Sequence, residues 1–106
     1  MIIELSKSNR KDKKWKAVLY ENGEKKKTIH FGAKGMSDYT IHKDKKRMER
    51  YINRHKKQEE KFWNKKNVMT PSWMSRFILW SKPSLNEAIR YVNNRFNLNI
   101  RIKRKH

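Results

Sequence analysis

Apolar and polar residues alternate along the first third of the chain. Ile3 and Leu5 are spaced by polar neighbours, and Trp15, Ala17 and Leu19 are interleaved with Lys16, Val18 and Tyr20. A period of two is that of a strand with one face buried. The lysine-rich gap from Lys7 to Lys14 holds the turn formers Ser8, Asn9 and Asp12 and separates two strands. Glu21-Asn22-Gly23-Glu24 then predicts a hairpin turn into a third strand over Lys25–Phe31.

The register of this hairpin follows from which side chains must share a face. A two-residue Asn22-Gly23 loop sets Trp15, Ala17 and Leu19 opposite the polar His30, Thr28 and Lys26. A three-residue loop, with Gly23 left-handed and forming a bulge, shifts the pairing by one. Trp15, Ala17, Leu19, Ile29 and Phe31 then share one face, and this bulged loop is the expected arrangement.

Beyond Gly32-Ala33-Lys34-Gly35 the period lengthens. Asp44 is a good N-cap, and Met48, Tyr51, Ile52, His55 and Phe62 follow at helical spacing until Asn64-Lys65-Lys66-Asn67. Thr70-Pro71 opens a second helix through Trp80, apolar over Trp73, Met74, Phe77, Ile78 and Leu79 and predicted to be the most buried element. Ser84 with Glu87 forms a capping box for a third helix striped by Leu85, Ala88, Ile89, Val92 and Phe96. Leu98, Ile100 and Ile102 suggest a last short strand, whose place in the sheet the pattern leaves open. The expected fold is α+β, one domain over residues 1–106. Three N-terminal strands and a C-terminal strand form a small antiparallel sheet packed by about three helices. Residues 1–31 hold the strands, 44–96 the helices, and 97–106 the short strand and basic end.

Charge changes the picture. The 106 residues include 29 Lys and Arg against 10 Asp and Glu, a net +19, while hydrophobic residues make up only 35%. The positive charge is dispersed: residues 61–106 carry a single acid, Glu87, and the first part is basic as well. Solubility requires a net charge of only about 2–8, so the excess predicts an acidic partner. Aromatics at 11%, including four Trp, set the chain apart from a disordered basic tail. With no cysteine there is no disulfide framework, thiolate metal site or cysteine nucleophile. No apolar run spans a bilayer, and Met1-Ile2-Ile3-Glu4-Leu5 does not read as a signal peptide. A soluble, intracellular protein is expected.

The partner-binding candidates are Lys34, the outward side of the first helix (Lys46, Arg47, Arg50, Arg54, Lys57 and Lys61), and the basic end (Arg101, Lys103, Arg104 and Lys105). Trp15, Phe31, Trp73 and Phe77 fit the core, whereas Tyr20 and Trp63 are the better candidates for exposed aromatics that stack on bases. Phe31-Gly32-Ala33-Lys34-Gly35 lacks the spacing of a nucleotide-phosphate loop and fits a tight turn better than an anion nest. His30, His42 and His55 with Asp38 and Asp44 match no standard metal spacing. The aspartates suit turn and cap positions, and His55 suits a hydrogen-bonded place on the apolar stripe. No catalytic residue, metal or cofactor is expected.

Three segments carry a resemblance: Phe31-Gly32-Ala33-Lys34-Gly35 through Ser37-Asp38-Tyr39-Thr40-Ile41-His42-Lys43-Asp44; Arg50-Tyr51-Ile52 with Arg54-His55; and Trp73 with Ser75-Arg76-Phe77-Ile78-Leu79-Trp80 and Lys82-Pro83-Ser84. Over roughly residues 28–96 the chain resembles a family of small basic proteins of unknown function from large double-stranded DNA viruses of algae and amoebae. Its Lys/Glu-rich stretch Gln58–Lys66 is longer than that pattern. The resemblance implies a viral setting, in the particle or the viral factory, and transfers no catalytic residue. Two functions are therefore expected as alternatives. One is non-enzymatic, sequence-nonspecific binding of DNA or RNA through phosphate contacts, as in genome packaging. The other is a minor capsid (cement) protein docking basic faces onto acidic capsid surfaces.

Overall fold

Ile3 and Leu5 of β1 (Ile2–Lys7) lie opposite Leu19 and Ala17 of β2 (Lys13–Glu21), so the two alternating patterns meet on one side of an antiparallel pair. The third strand, β3 (Glu24–Ala33), pairs antiparallel with β2 and sets Trp15 opposite Phe31 and Ala17 opposite Ile29. That is the predicted shared face, reached by a different device. The loop is the two-residue Asn22-Gly23 turn, with φ of 53° and 79°, between Glu21 and Glu24, which are paired. The register then shifts between Leu19 and Tyr20, whose partners are Lys27 and Lys25. Lys26 is the extra residue, so the bulge sits within β3. A positive φ at both central residues gives the twist that a two-residue hairpin requires, and the bulge restores the pairing of apolar side chains.

The computed structural model describes residues 1–103, and the remaining elements follow the α+β expectation. They are α1 (Tyr39–His42), α2 (Lys45–Glu59), α3 (Pro71–Met74), α4 (Leu85–Phe96) and β4 (Ile100–Ile102). The sheet is mixed, in the order β3-β2-β1-β4, because β4 runs parallel to β1 with Ile3 opposite Ile100. A parallel neighbour needs a long crossover, which the helices supply. The Asn93 amide holds β4 in place: its Nδ2 donates to the Ile100 carbonyl at 3.0 Å and its Oδ1 accepts from the Ile100 N–H at 2.9 Å.

Thr70 caps α3, its Oγ1 accepting from the Trp73 N–H, with Pro71 at the first position. After one α-turn the helix widens into a π-turn over Ser75–Leu79. Its i→i+5 spacing accompanies the burial of three consecutive residues, Phe77, Ile78 and Leu79, next to Trp73 and Met74. Ser84 accepts from the Glu87 N–H at 3.2 Å, and the helix it starts buries Ala88, Ile89 and Val92. These elements and the apolar sheet face, including Ile3, Leu5, Ala17, Ile29 and Phe31, form one core cluster. Gly32 sits where β3 passes under the π-turn. Its φ is 77°, and a Cβ there would lie 2.9 Å from Leu79 Cδ1, so glycine answers both a backbone and a space requirement.

Candidate polyanion-binding surface

The most basic helix, α2, has no fully buried residue among those described. Asp44 starts α2 by accepting from the N–H groups of Lys46 and Arg47 at 3.0 and 3.4 Å. Half-buried Met48, Tyr51, Ile52 and His55 face the body of the protein. Tyr51 stacks on Trp80 with ring centroids 4.1 Å apart, and the His55 ring lies 4.2 Å from Tyr51. Helical spacing then turns Lys46, Arg47, Arg50, Arg54 and Lys57 outward, and all five are exposed. Among the described residues the ion pairs are Arg10–Asp12, Lys14–Asp38 and Lys26–Glu24, none of which uses an α2 cation.

The helix α2 is shorter than its periodicity predicts. It ends at Glu59, and a 3₁₀ turn over Glu60–Phe62 carries exposed Lys61. The tighter turn leaves Phe62, assigned to the apolar stripe by its spacing, 48% exposed. Trp63 is turned inward and meets Phe77 edge-on at 6.3 Å. Trp63, expected as an exposed stacking aromatic, is therefore half-buried and packed against the core. Tyr20 is half-buried too.

Lys34 joins a different group. It borders a cleft with Lys7, Lys13, Lys14 and Trp15, and an adjoining cleft reaches Arg54 and His55 of α2. The two share Lys14 and Asp38, which form an ion pair at 2.6 Å with side chains 15% and 3% exposed. Asp38 also caps α1, accepting from the Thr40 N–H at 2.9 Å. This pair neutralises Lys14 and leaves Lys7, Lys13, Lys34 and Arg54 as the cations around the clefts. Spacing alone marked Asp38 as a turn or cap residue; its second partner lies twenty-four positions away in sequence.

Arg101 and Lys103 are exposed at the β4 side of the sheet, at the opposite edge from the strand that leads to Lys34. Arg104 and Lys105 lie outside the described residues. The predicted cations therefore form one region around α2 and the Lys34 cleft and a second beside β4.

The histidines are separately engaged. His30 Nδ1 is 2.7 Å from Ser8 Oγ, His42 Nδ1 accepts from the Asp44 N–H at 2.8 Å, and His55 Nδ1 is 2.9 Å from the Tyr51 carbonyl. Burial, and then the positive charges of Arg10 and Lys16, hold the His30 pKa below the usual imidazole value. Among the described residues no three His, Asp or Glu side chains stand close enough to hold a metal ion.

Two arginines escaped the sequence reading. Arg76 and Arg95 both stand over Phe77, with guanidinium carbons 4.7 and 5.5 Å from the ring centroid. Burial lowers the Arg76 pKa, and Arg95 lowers it further. The available signal was Arg76 itself, a lone charge inside the most apolar helix.

Fold and surface together define a small α+β protein whose most basic helix lies outside its core and carries cations without carboxylate partners among the described residues. The chain belongs to the family of unknown function DUF5754, whose family model matches residues 3–55, from β1 into α2. Neither the curated proteins nor the solved structures contain a match to it. Among the described residues no helix is long and apolar enough to cross a membrane.

Proposed function

We propose that the protein binds nucleic acid without sequence preference, by contacts of Lys and Arg with phosphates, and acts as a binding protein rather than an enzyme. The observation that carries this reading is the outward face of α2, where Lys46, Arg47, Arg50, Arg54 and Lys57 are exposed with no ion-pair partner among the described residues. Phosphates that replace condensed counterions supply the favourable free energy, and a rod of cations one helix long suits a backbone of regularly spaced charges. We take the setting from the resemblance to proteins of large DNA viruses and propose that this binding serves packaging of a viral genome, in the particle or the viral factory.

Mixed-sequence DNA and RNA titrated by fluorescence anisotropy should bind with similar affinities at each salt concentration. The logarithm of the duplex DNA binding constant should fall with the logarithm of salt with a slope of about −0.9 per phosphate neutralised. Salt-insensitive or strongly sequence-selective binding would overturn the reading.

A minor capsid (cement) role is favoured by one further observation. Met36 and Ile41, 68% and 58% exposed, flank the region of Lys34 and offer apolar contacts that a phosphate backbone does not use. Acidic shell proteins that bind in place of nucleic acid, and lose affinity when Met36 and Ile41 become serine, would decide for that role.

A further inference from the structure

Besides the outward face of α2, the helices border a polar, half-open cavity of ≈ 430 Å³ lined by residues that include Asn53, Lys56, Trp63, Arg76, Phe77 and Arg95. Three of its cations come from three separate segments: Lys56 from α2, Arg76 from the π-turn and Arg95 from the last turn of α4. Arg76 is held between aromatic rings, its guanidinium carbon 5.1 Å from the centroid of Trp63 and 4.7 Å from that of Phe77. Arg95 approaches the other rings of this cluster, 5.1 Å from the centroid of Phe96 and 5.8 Å from that of Tyr91. These cation–π contacts set both guanidiniums over aromatic rings, which accept none of their N–H groups as conventional hydrogen bonds.

Arg95 Nη1 donates to the Tyr91 hydroxyl at 2.5 Å, whereas two of the Arg76 nitrogens are unanswered. Arg76 Nε and Nη1 and Trp63 Nε1 are all buried without a hydrogen-bond partner. All three are donors. The cavity wall includes one carboxylate among the described residues, Glu60, which is exposed and forms no ion pair with either arginine. Buried donors left unpaired cost free energy, and like charges brought together on one wall cost more. A compact anion with several acceptor oxygens offsets the like charges gathered on this wall.

We infer that this cavity is a phosphate-binding pocket, in which the Arg76 and Arg95 guanidiniums clasp the phosphate oxygens with the Trp63 indole N–H and the Lys56 ammonium beside them. The inference deepens the proposed nucleic-acid reading by assigning one seated phosphate in addition to the diffuse contacts of α2. A phosphodiester of a bound strand and a free phosphate share the chemistry the pocket recognises.

The test follows the Trp63 indole N–H and the Arg76 Nε–H resonances of the ¹⁵N-labelled protein. Titrants are inorganic phosphate and, separately, a short single-stranded oligodeoxynucleotide, with sodium chloride of matched ionic strength as the control. Phosphate should shift both resonances saturably while chloride does not. Arg95→Gln, at the pocket rim, should weaken that binding about tenfold, the equivalent of one charge-assisted hydrogen bond. Arg76→Lys should weaken it while retaining the charge, because an ammonium lacks the planar fork. A shift of the same resonances by the oligonucleotide assigns the pocket to a strand phosphodiester; a response to inorganic phosphate alone assigns it to a free phosphate. No saturable shift in the folded wild-type protein, or phosphate affinity unchanged in Arg95→Gln, overturns the pocket. Salt-dependent nucleic-acid binding with silent pocket resonances defeats the pocket and leaves the function standing; a phosphate response without any nucleic-acid binding does the reverse.

Discussion

Tyr51 and Trp80 lie face to face, their ring planes 2° from parallel and their centroids 4.1 Å apart. Tyr51 belongs to α2 and Trp80 follows the buried π-turn, so this stack ties the basic helix to the core. No described residue of α2 is fully buried, which makes the contact a large share of what holds the helix in place.

Trp80→Ala should therefore release α2 while leaving the sheet intact. An aromatic pair contributes about 0.5–1.5 kcal/mol beyond its buried area. Hydrogen exchange should show faster exchange of α2 amides and unchanged protection in β1 and β2. The same burial raises the Tyr51 phenol to about 12 from its ordinary 10.0, with the nearby Glu59 charge adding to the effect. A raised pKa favours the protonated fold. The stability it contributes is complete below pH 10.0 and is lost as pH rises through about 12, and an ultraviolet titration of tyrosinate should show one late phenol that Tyr51→Phe removes.

The Lys14–Asp38 pair joins β2 to the start of α1, and its carboxylate also serves as the helix cap. Asp38→Ala removes both roles and leaves a mostly buried ammonium without its partner. The expected loss is about 3–5 kcal/mol in chemical denaturation. Asp38→Asn keeps an acceptor for the Thr40 N–H and should cost less. Equal losses in the two variants would show that the cap acceptor contributes nothing and that the charge accounts for the whole loss.

Core and binding face should separate cleanly. Phe77 is 2% exposed within the central cluster, and Phe77→Ala should cost about 3–5 kcal/mol. Replacing Arg47, Arg50, Arg54 and Lys57 by Gln should leave the melting temperature unchanged or slightly raised, since like charges are removed. The same variant should bind nucleic acid more weakly, with a salt slope shallower by about 0.9 for each phosphate it no longer neutralises. If it unfolds while binding per folded molecule is unchanged, the face is structural.

Acid should loosen the entry to α2. The Asp44 N–H donates to His42 Nδ1, which must be unprotonated to accept it, and the Nε2 side is buried without a partner. Burial and then the Arg47 charge hold the His42 pKa below 6.5, opposed by Asp44 and Asp38; the Tyr39 and Trp80 rings pack beside it. A lowered histidine pKa means that the folded state resists protonation. The stability at stake is present above pH 6.5 and is lost as pH falls through the lowered value. Melting temperatures taken on either side of pH 6.5 should drop on the acid side, and His42→Asn should flatten that step.

Part of this protein is written in short stretches of sequence. Alternation in Ile3–Leu5 and Trp15–Leu19, the caps Asp44, Thr70 and Ser84, and the stripe Ala88–Ile89–Val92 each depend on residues within a turn or two, where pattern and structure are the same physics. The outward cations of α2 were legible for that reason: the apolar side of a helix defines its other side. Tertiary structure decided what depends on the chain's path. It placed the bulge at Lys26, because apolar pairing between β2 and β3 outweighs the ideal turn register, and it laid β4 parallel to β1 only after the helices had carried the chain back. It ended α2 at Glu59, so that Trp63, not Phe62, meets Phe77. It also brought Lys14 to Asp38, and Arg95 to the cavity that holds Arg76. No local period encodes such meetings, because buried charges find their partners through three-dimensional closure.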